Sequence, residues 1–98
     1  MPTSGTEPLM AAAELTVINR LGLHARAAAK VVAVASRHDA SIKVRKDGRE
    51  VDARNIMALL MLAAAKGSTV EVEASGPQAN EALAEISALF ARRFDEED

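Results

Sequence analysis

The sequence predicts an α+β protein, an open-faced two-layer sandwich in which one sheet carries its helices on a single face. Four short segments alternate apolar and polar residues, and three longer ones repeat apolar residues at helical spacing. They follow in the order β-α-β-β-α-β-α along 98 residues, a length that suits one domain. Because each strand has one polar face, we expect a four-stranded antiparallel sheet with three helices on its apolar face.

The first strand is predicted over residues 13–18, where apolar and polar side chains alternate. Residues 19–23 form a loop, and a helix follows over residues 25–37. Its apolar residues recur at i, i+3, i+4 and i+7 and form one stripe. The stripe consists of Ala28, Val31, Val32 and Ala35.

A hairpin comes next, with strands over residues 41–45 and 50–52. The Asp47-Gly48 pair between them is typical of a tight hairpin turn. Asn55 is a good N-cap for a second helix over residues 56–65.

The fourth strand is predicted over residues 69–74, which alternate most regularly, after Gly67 closes the second helix. Gly76 and Pro77 then break the chain before a last helix. That helix carries on one face Ala79, Ala82, Leu83, Ile86 and Phe90.

The two ends of the chain have tail-like compositions. Residues 1–11 are predicted to be a disordered extension, rich in proline, serine, threonine and glycine, and Met10 is a possible alternative start. Residues 95–98 are all acidic and are predicted to be a solvated tail. The folded domain is therefore expected over residues 12–94.

Composition excludes several classes of function. The net charge is −2 and the only two aromatic residues lie near the C-terminus, so a nucleic-acid surface is not expected. The chain has no cysteine, which excludes disulfides and thiolate metal sites and fits a reducing cytoplasm. Neither an apolar run of membrane-spanning length nor a secretory signal is visible, so we expect no membrane insertion.

His24 is the main candidate for chemistry, because it stands where a loop ends and a helix begins. The first backbone N–H groups of a helix lack partners and attract anions. The helix dipole disfavours the imidazolium form, which leaves a neutral and nucleophilic ring. Arg26, on the same turn, offers a planar donor fork suited to phosphate oxygens. A lone histidine is more often a simple cap, but Gly22, Arg26 and the helix start together favour a phosphorylated nucleophile.

The second helix is apolar nearly all round, so it is either sunk between layers or exposes a surface for partners. Arg20, Arg26 and Arg54 flank the two helix starts and could steer an acidic partner. His38 has no partner group in the sequence, and we interpret it as structural or exposed.

The segment from Gly22 to Arg26 resembles the active-site signature of HPr, the histidine-containing phosphocarrier of the bacterial phosphotransferase system. The order of elements over residues 12–94 resembles that family as well, and the family fold implies the sheet order 1-4-2-3. Three stretches are especially similar to the nitrogen-related branch, NPr: residues 58–62, 71–78 and 94–97.

The resemblance implies a stoichiometric phosphocarrier, not an enzyme, with no cofactor or metal. Enzyme I, phosphorylated by phosphoenolpyruvate, would pass the phosphoryl group to Nδ1 of His24, and an Enzyme IIA protein would receive it. Arg26 and the backbone N–H groups of residues 25–27 (Ala25, Arg26 and Ala27) would hold the phosphoryl group. The partner-binding residues would be Arg20, Asn55, Ile56, Met57 and Leu60, with Leu59 and Leu62 in the core. We expect a cytoplasmic monomer.

Two residues depart from the usual family pattern. Ala27 replaces a proline, so its N–H is free to bond the phosphoryl group or the ring of His24. Asn55 stands where many members carry a regulatory serine, which argues against control by HPr kinase. The alternative functions are a binding module that acts through Met57 and Leu60 without phosphotransfer, and a hydrolase with His24 as base. The hydrolase would need a second catalytic group, which does not accompany the signature.

Overall fold

The computed structural model describes residues 10–97, and its helices lie together against one four-stranded sheet. This confirms the predicted α+β class and the order of elements. The predicted extension lies, apart from residues 10 and 11, outside the described residues. The elements are β1 (Met10–Thr16), α1 (Ala25–Arg37), β2 (Ser41–Lys46), β3 (Arg49–Asp52), α2 (Ile56–Met61), β4 (Thr69–Ser75), α3 (Ala79–Ala91) and a final 3-10 turn (Arg93–Asp95).

The sheet has the strand order β1-β4-β2-β3, and all three neighbouring pairs are antiparallel. The order expected from the family resemblance is therefore confirmed. The strand β4 lies between β1 and β2, so it connects the N-terminal strand to the hairpin. In the two inner strands, β4 and β2, alternation places the apolar side chains on the face that the helices cover. These side chains are buried. They are Ile42, Val44, Val70, Val72 and Ala74.

The outer face of the sheet is charged. Arg45 on β2 pairs with Glu50 at 3.0 Å and Glu73 at 2.7 Å, and it also contacts Glu71. These ion pairs link β3, β2 and β4 across the solvated face, which is the polar alternation that the strand prediction required.

The first strand begins earlier than predicted. Met10 pairs with Ser75 and Ala11 pairs with Ala74, so both residues belong to the sheet and not to the extension. The domain therefore starts at least two residues before the predicted boundary. The reason is that β4 continues to Ser75 and offers backbone partners, which favour pairing even for residues of low strand propensity.

The second helix is shorter than predicted and ends at Met61 instead of residue 65. Ala63 has a φ of 53°, which is a left-handed conformation that a helix cannot continue through. The N–H groups of Leu62 and Ala63 bond back to Leu59 and Leu60 in tight closing turns. The chain therefore leaves the helix at Ala63, before Gly67. The backbone groups of the residues that follow have no helical partners, so they can bond other segments.

The C-terminal residues do not form the predicted solvated tail. Arg93, Phe94 and Asp95 all have left-handed backbone angles, with φ of 59°, 54° and 64°, and they turn the chain back onto the domain. Phe94 is fully buried, and its ring lies 4.8 Å from that of Phe90. Burial of the aromatic side chain favours this turn against the strain of its left-handed residues. Glu96 is consequently brought back to the body of the protein.

None of the helices within residues 10–97 has the length and apolar composition required to cross a membrane.

Candidate functional site

The loop that ends at His24 is held by the segment after α2. The N–H of Leu23 donates to the carbonyl of Ala64 at 2.9 Å, and the Leu23 side chain is buried. Gly22 has a φ of +71° and lies against the same carbonyl, in a space that a side chain would fill. Glycine is therefore required by both the backbone angle and the close approach.

His24 is the N-cap of α1. Its backbone is extended, and its carbonyl accepts the first intrahelical bond, from Ala28 at 2.8 Å. The ring turns back over the helix start, where Nδ1 accepts a hydrogen bond from the N–H of Arg26 at 3.2 Å. A ring nitrogen that accepts a bond carries its lone pair, so Nδ1 is unprotonated in this arrangement. The sequence prediction of a histidine at a helix start is confirmed.

The other ring nitrogen, Nε2, is hydrogen-bonded to Oε2 of Glu96. The second carboxylate oxygen, Oε1, accepts from Nδ2 of Asn19 at 3.0 Å. Asn19 is itself fully buried and also donates to the carbonyl of Gly22 at 2.8 Å. The side chains of His24 and Glu96 are 26% and 13% exposed, so the pair is sheltered on one side while the ring remains accessible.

The segment that carries Glu96 is tied to α1 by Lys30. Its ammonium donates to the carbonyl of Phe94 at 2.7 Å and pairs with Asp95 at 3.3 Å. Asp95 also pairs with Arg92 at 2.7 Å. With Phe94 buried, these contacts hold both sides of the turn that places Glu96 beside His24.

The two carboxylates of this turn favour their charged forms. Burial alone would raise the pKa of Glu96, but the hydrogen bonds from Asn19 and His24 outweigh it and the pKa is lowered. The hydrogen bonds from Arg92 and Lys30 lower the pKa of Asp95. Glu96 is therefore a carboxylate at neutral pH and can only accept from the ring.

The remaining predicted phosphoryl-binding residues lie on the first turn of α1. The side chains of Ala25 and Arg26 are exposed, whereas Ala27 is fully buried. The predicted bond from the Ala27 amide to the ring is not found. The amide of Arg26 makes it instead, at the first of the two helical positions that a capping side chain can reach, N2 and N3.

The proposed partner surface divides into two kinds of residue. Met57 is 63% exposed, whereas Ile56 and Leu60 are partly buried against the core. Asn55 caps α2 by accepting from the Ala58 N–H at 3.0 Å, as its position predicted. Arg20 is exposed in the loop before His24. A second methionine of the same helix, Met61, is also exposed, at 64%.

The second histidine, His38, is in a different setting. Its Nε2 contacts Oε1 of Glu85 at 2.7 Å, and the side chain is only 13% exposed. Its Nδ1 is buried and has no hydrogen-bond partner among residues 10–97. Both ring nitrogens are thus shielded, which agrees with the structural interpretation made from the sequence.

Sequence reasoning missed three residues of the site: Asn19, Lys30 and Glu96. The sequence pattern places Asn19 in an ordinary loop and Glu96 in a solvated tail. One signal was available, since Phe94 is an aromatic residue directly before the acidic run. An apolar side chain there indicates that the chain returns to the core, which would have carried the acidic residues with it.

Residues 11–92 match the family model described as the PTS HPr component phosphorylation site. Two curated relatives are similar over most of their length. The phosphocarrier protein HPr of Cupriavidus necator is 48% identical over 83 residues, which are 85% of this chain and 93% of the relative. The phosphocarrier protein NPr of Escherichia coli K12 is 49% identical over 82 residues, 83% of this chain and 91% of the relative.

Solved structures agree with these relatives. HPr-C-His from Thermoanaerobacter tengcongensis has a TM-score of 0.86 and 34% identity, covering 90% of this chain and 99% of that one. A phosphocarrier protein HPr from Bacillus anthracis has a TM-score of 0.79 and 37% identity, covering 83% and 96%.

Fold, site and relatives together define a phosphocarrier of the bacterial phosphotransferase system. The chain belongs to the HPr family, whose members carry a phosphoryl group on a histidine and do not catalyse a reaction of their own. The partners that the family implies are Enzyme I and Enzyme IIA proteins.

Proposed function

We propose that His24 is the phosphorylated histidine, that Nδ1 accepts the phosphoryl group from Enzyme I, and that an Enzyme IIA protein receives it. The observation that supports this assignment is the bond from the Arg26 amide to Nδ1, because a nitrogen that accepts a hydrogen bond carries the electron pair that a nucleophile needs. When Nδ1 bonds phosphorus, the same amide is freed to donate to a phosphoryl oxygen.

Arg26 and the first turn of α1 hold the phosphoryl group in this proposal. The Arg26 guanidinium is exposed, so it can reach the phosphoryl dianion on His24 from the solvent side. The amides of residues 25–27 lie at the positive end of the helix. Burial of the Ala27 side chain fixes this turn against the core.

We propose further that Arg20, Asn55, Ile56, Met57 and Leu60 contact the partners. Exposed methionine supports this for Met57, since a flexible thioether side chain adapts to several surfaces. Asn55 has no hydroxyl group, so this position gives a serine-directed HPr kinase nothing to modify. We also propose that the protein acts as a cytoplasmic monomer.

We assign the protein to the nitrogen-related branch. Residues 58–62, 71–78 and 94–97 support this, as they are the stretches most similar to NPr. Overall identity does not favour either branch, at 48% to an HPr and 49% to an NPr. Incubation with phosphoenolpyruvate and each Enzyme I paralogue of the host, one at a time, tests the assignment. Faster labelling by the sugar-branch Enzyme I would contradict it.

The test of the site uses His24→Ala with His38→Ala as its matched control. We expect labelling by phosphoenolpyruvate and Enzyme I to be lost in the first variant and kept in the second. The phosphoryl bond should be labile in acid and stable in base, as a phosphoramidate is. Labelling of folded His24→Ala would disprove the assignment. Absence of labelling in the wild type with every paralogue would favour a binding module that uses the Met57 surface alone.

A further inference from the structure

We propose that Glu96 is a positioning residue for phosphoryl transfer: it holds the proton on Nε2 of His24, which leaves Nδ1 as the nucleophile and keeps the phosphorylated ring in its protonated, reactive form. This inference rests on the proposed phosphorylation of His24. Glu96 lies beyond residues 11–92, the part of the chain that matches the family model. Its role therefore depends on how this particular C-terminus folds.

The two bonds to the ring select the same tautomer. A backbone N–H can only donate, so the Arg26 amide requires a lone pair on Nδ1. A carboxylate can only accept, so Glu96 requires a proton on Nε2. An imidazole with the opposite tautomer would lose both bonds. The ring is thus prepared for attack through Nδ1 before any donor arrives.

Glu96 is held in place by contacts on both sides, as a positioning residue requires. Its Oε1 accepts from Asn19, which is buried and anchored to the carbonyl of Gly22 in the same loop as His24. On the other side, Phe94 is buried and its carbonyl accepts from Lys30. A carboxylate that orients a histidine from its far nitrogen is a recurring arrangement in nucleophilic sites, where it stabilises the imidazolium that forms.

The transfer step shows what this arrangement does. The Nδ1 electron pair forms a bond to phosphorus while the bond between phosphorus and the donor atom of Enzyme I breaks, and that electron pair stays on the donor. Nε2 keeps its proton, so the ring becomes a cation next to the Glu96 carboxylate. When the phosphoryl group leaves for the next acceptor, the Nδ1–phosphorus electron pair returns to Nδ1 and a neutral imidazole departs. Without the Nε2 proton the departing group would be an imidazolate, which is a far poorer leaving group.

Other charged residues lie on the segments around His24, and among residues 10–97 Glu96 is the acidic residue that bonds the ring. The helix α2 contributes none, as residues 56–61 are all apolar. The cationic groups oppose a positive ring, so the Glu96 carboxylate must act against them. The charged residues of these segments are Arg20 in the loop, Arg26 and Lys30 on α1, Lys66 after α2, and Arg92, Arg93, Asp95, Glu96 and Glu97 at the C-terminus.

The first experiment reads the tautomer of the unphosphorylated protein by two-bond ¹H–¹⁵N correlation spectra of the His24 ring. We expect the Nε2–H form to dominate in the wild type and in Glu96→Gln, whose single amide oxygen can still accept from the ring when Asn19 gives up its bond to this side chain. In Glu96→Ala only the Arg26 amide still selects this tautomer, so we expect a larger minor population of the Nδ1–H form. Glu97→Gln is the matched control, because it removes the same charge from the neighbouring exposed residue. This readout does not depend on phosphorylation, so it separates the inference from the proposed function.

The second experiment follows hydrolysis of phospho-His24 by ³¹P NMR across pH. Hydrolysis should slow as the pH rises, because the reactive ring loses its Nε2 proton. In Glu96→Gln the carboxylate charge is lost, so we expect this decrease in rate to occur about one pH unit lower, the size of shift that a close opposite charge produces. In the pH range where the rate decreases, Glu96→Gln should therefore hydrolyse about tenfold more slowly than the wild type. Glu97→Gln should stay close to wild type, and Glu96→Asp should recover part of the shift.

Two results would overturn the inference while leaving the proposed function intact. One is a wild-type tautomer population together with an unchanged pH profile in both Glu96→Gln and Glu96→Ala. The other is faster labelling of Glu96→Ala by Enzyme I with the pH profile unchanged, which would mean that the C-terminal segment only shields the ring. A wild type that no Enzyme I labels would instead refute the proposed phosphorylation of His24.

Discussion

The carbonyl oxygen of Ala64 lies where it would be only 2.7 Å from a Cβ atom on Gly22. The same oxygen accepts the hydrogen bond of the Leu23 N–H at 2.9 Å. The loop before His24 thus rests directly on the backbone that follows α2. Because α2 ends early, at Met61, this carbonyl is available for the contact, and the position of the histidine depends on a neighbour more than forty residues away in sequence.

Gly22→Ala should displace the His24 loop. The left-handed backbone alone costs about 1–2 kcal/mol for a residue with a Cβ, and the clash with Ala64 adds to this. Gly48→Ala is the matched control, since Gly48 has a φ of +81° but open space around it. Chemical denaturation of both variants isolates the clash, and we expect slower labelling by Enzyme I only in Gly22→Ala. Equal losses of stability and normal labelling in both would show that the close approach does not position the histidine.

Met57→Glu and Leu60→Glu should behave differently. Met57 is 63% exposed, so a charge there should change the free energy of unfolding by less than about 0.5 kcal/mol and weaken transfer from Enzyme I. Leu60 is partly buried against the core, so its variant should lose stability as well. Thermal melts and transfer rates measure the two effects. If Met57→Glu transfers at the wild-type rate, Met57 is not part of the Enzyme I contact.

Ala27→Pro tests the donor that this chain has at a position where the family usually has proline. The ring bond comes from the Arg26 amide, so we expect the His24 tautomer to stay unchanged. Loss of the Ala27 N–H removes one candidate donor to the phosphoryl group, so phospho-His24 should hydrolyse faster. A hydrogen bond to a charged group contributes roughly 1.5–3 kcal/mol at most. An unchanged hydrolysis time course would show that this amide does not contact the phosphoryl group.

Acid should release the C-terminal turn. The pKa values of Asp95 and Glu96 are lowered from 3.8 and 4.5, so both residues stabilise the fold when charged. Their contribution is complete above those ordinary values and is lost as the pH falls through the lowered ones. Amide exchange or NMR of Phe94 should report opening below about pH 4, and Glu96→Gln should weaken this dependence. An acid profile identical to wild type in Glu96→Gln would contradict the pairing with His24.

Periodicity predicted the element types because strand and helix repeats depend only on neighbouring residues. The stripe on α1 and the alternation in β4 are examples, and the caps His24 and Asn55 lie where the sequence placed them. The ends of elements were less accurate. The end of α2 is set by the left-handed Ala63, whose side chain gives no signal of a reversal, and the start of β1 is set by the length of its partner strand.

The sequence by itself determined the class of fold, the position of the histidine at a helix start, and the arginine two residues later. These are local properties, which follow from caps, spacing and charge within one or two turns. Only the tertiary structure decided which backbone amide donates to Nδ1 of His24 and which carboxylate bonds its Nε2. That decision depends on Asn19, Lys30 and Glu96, which lie on three separate segments and meet because a buried Phe94 turns the chain back. Contacts between distant segments arise from packing, and a local signal such as Phe94 indicates that the chain returns to the core but not which residues it meets there.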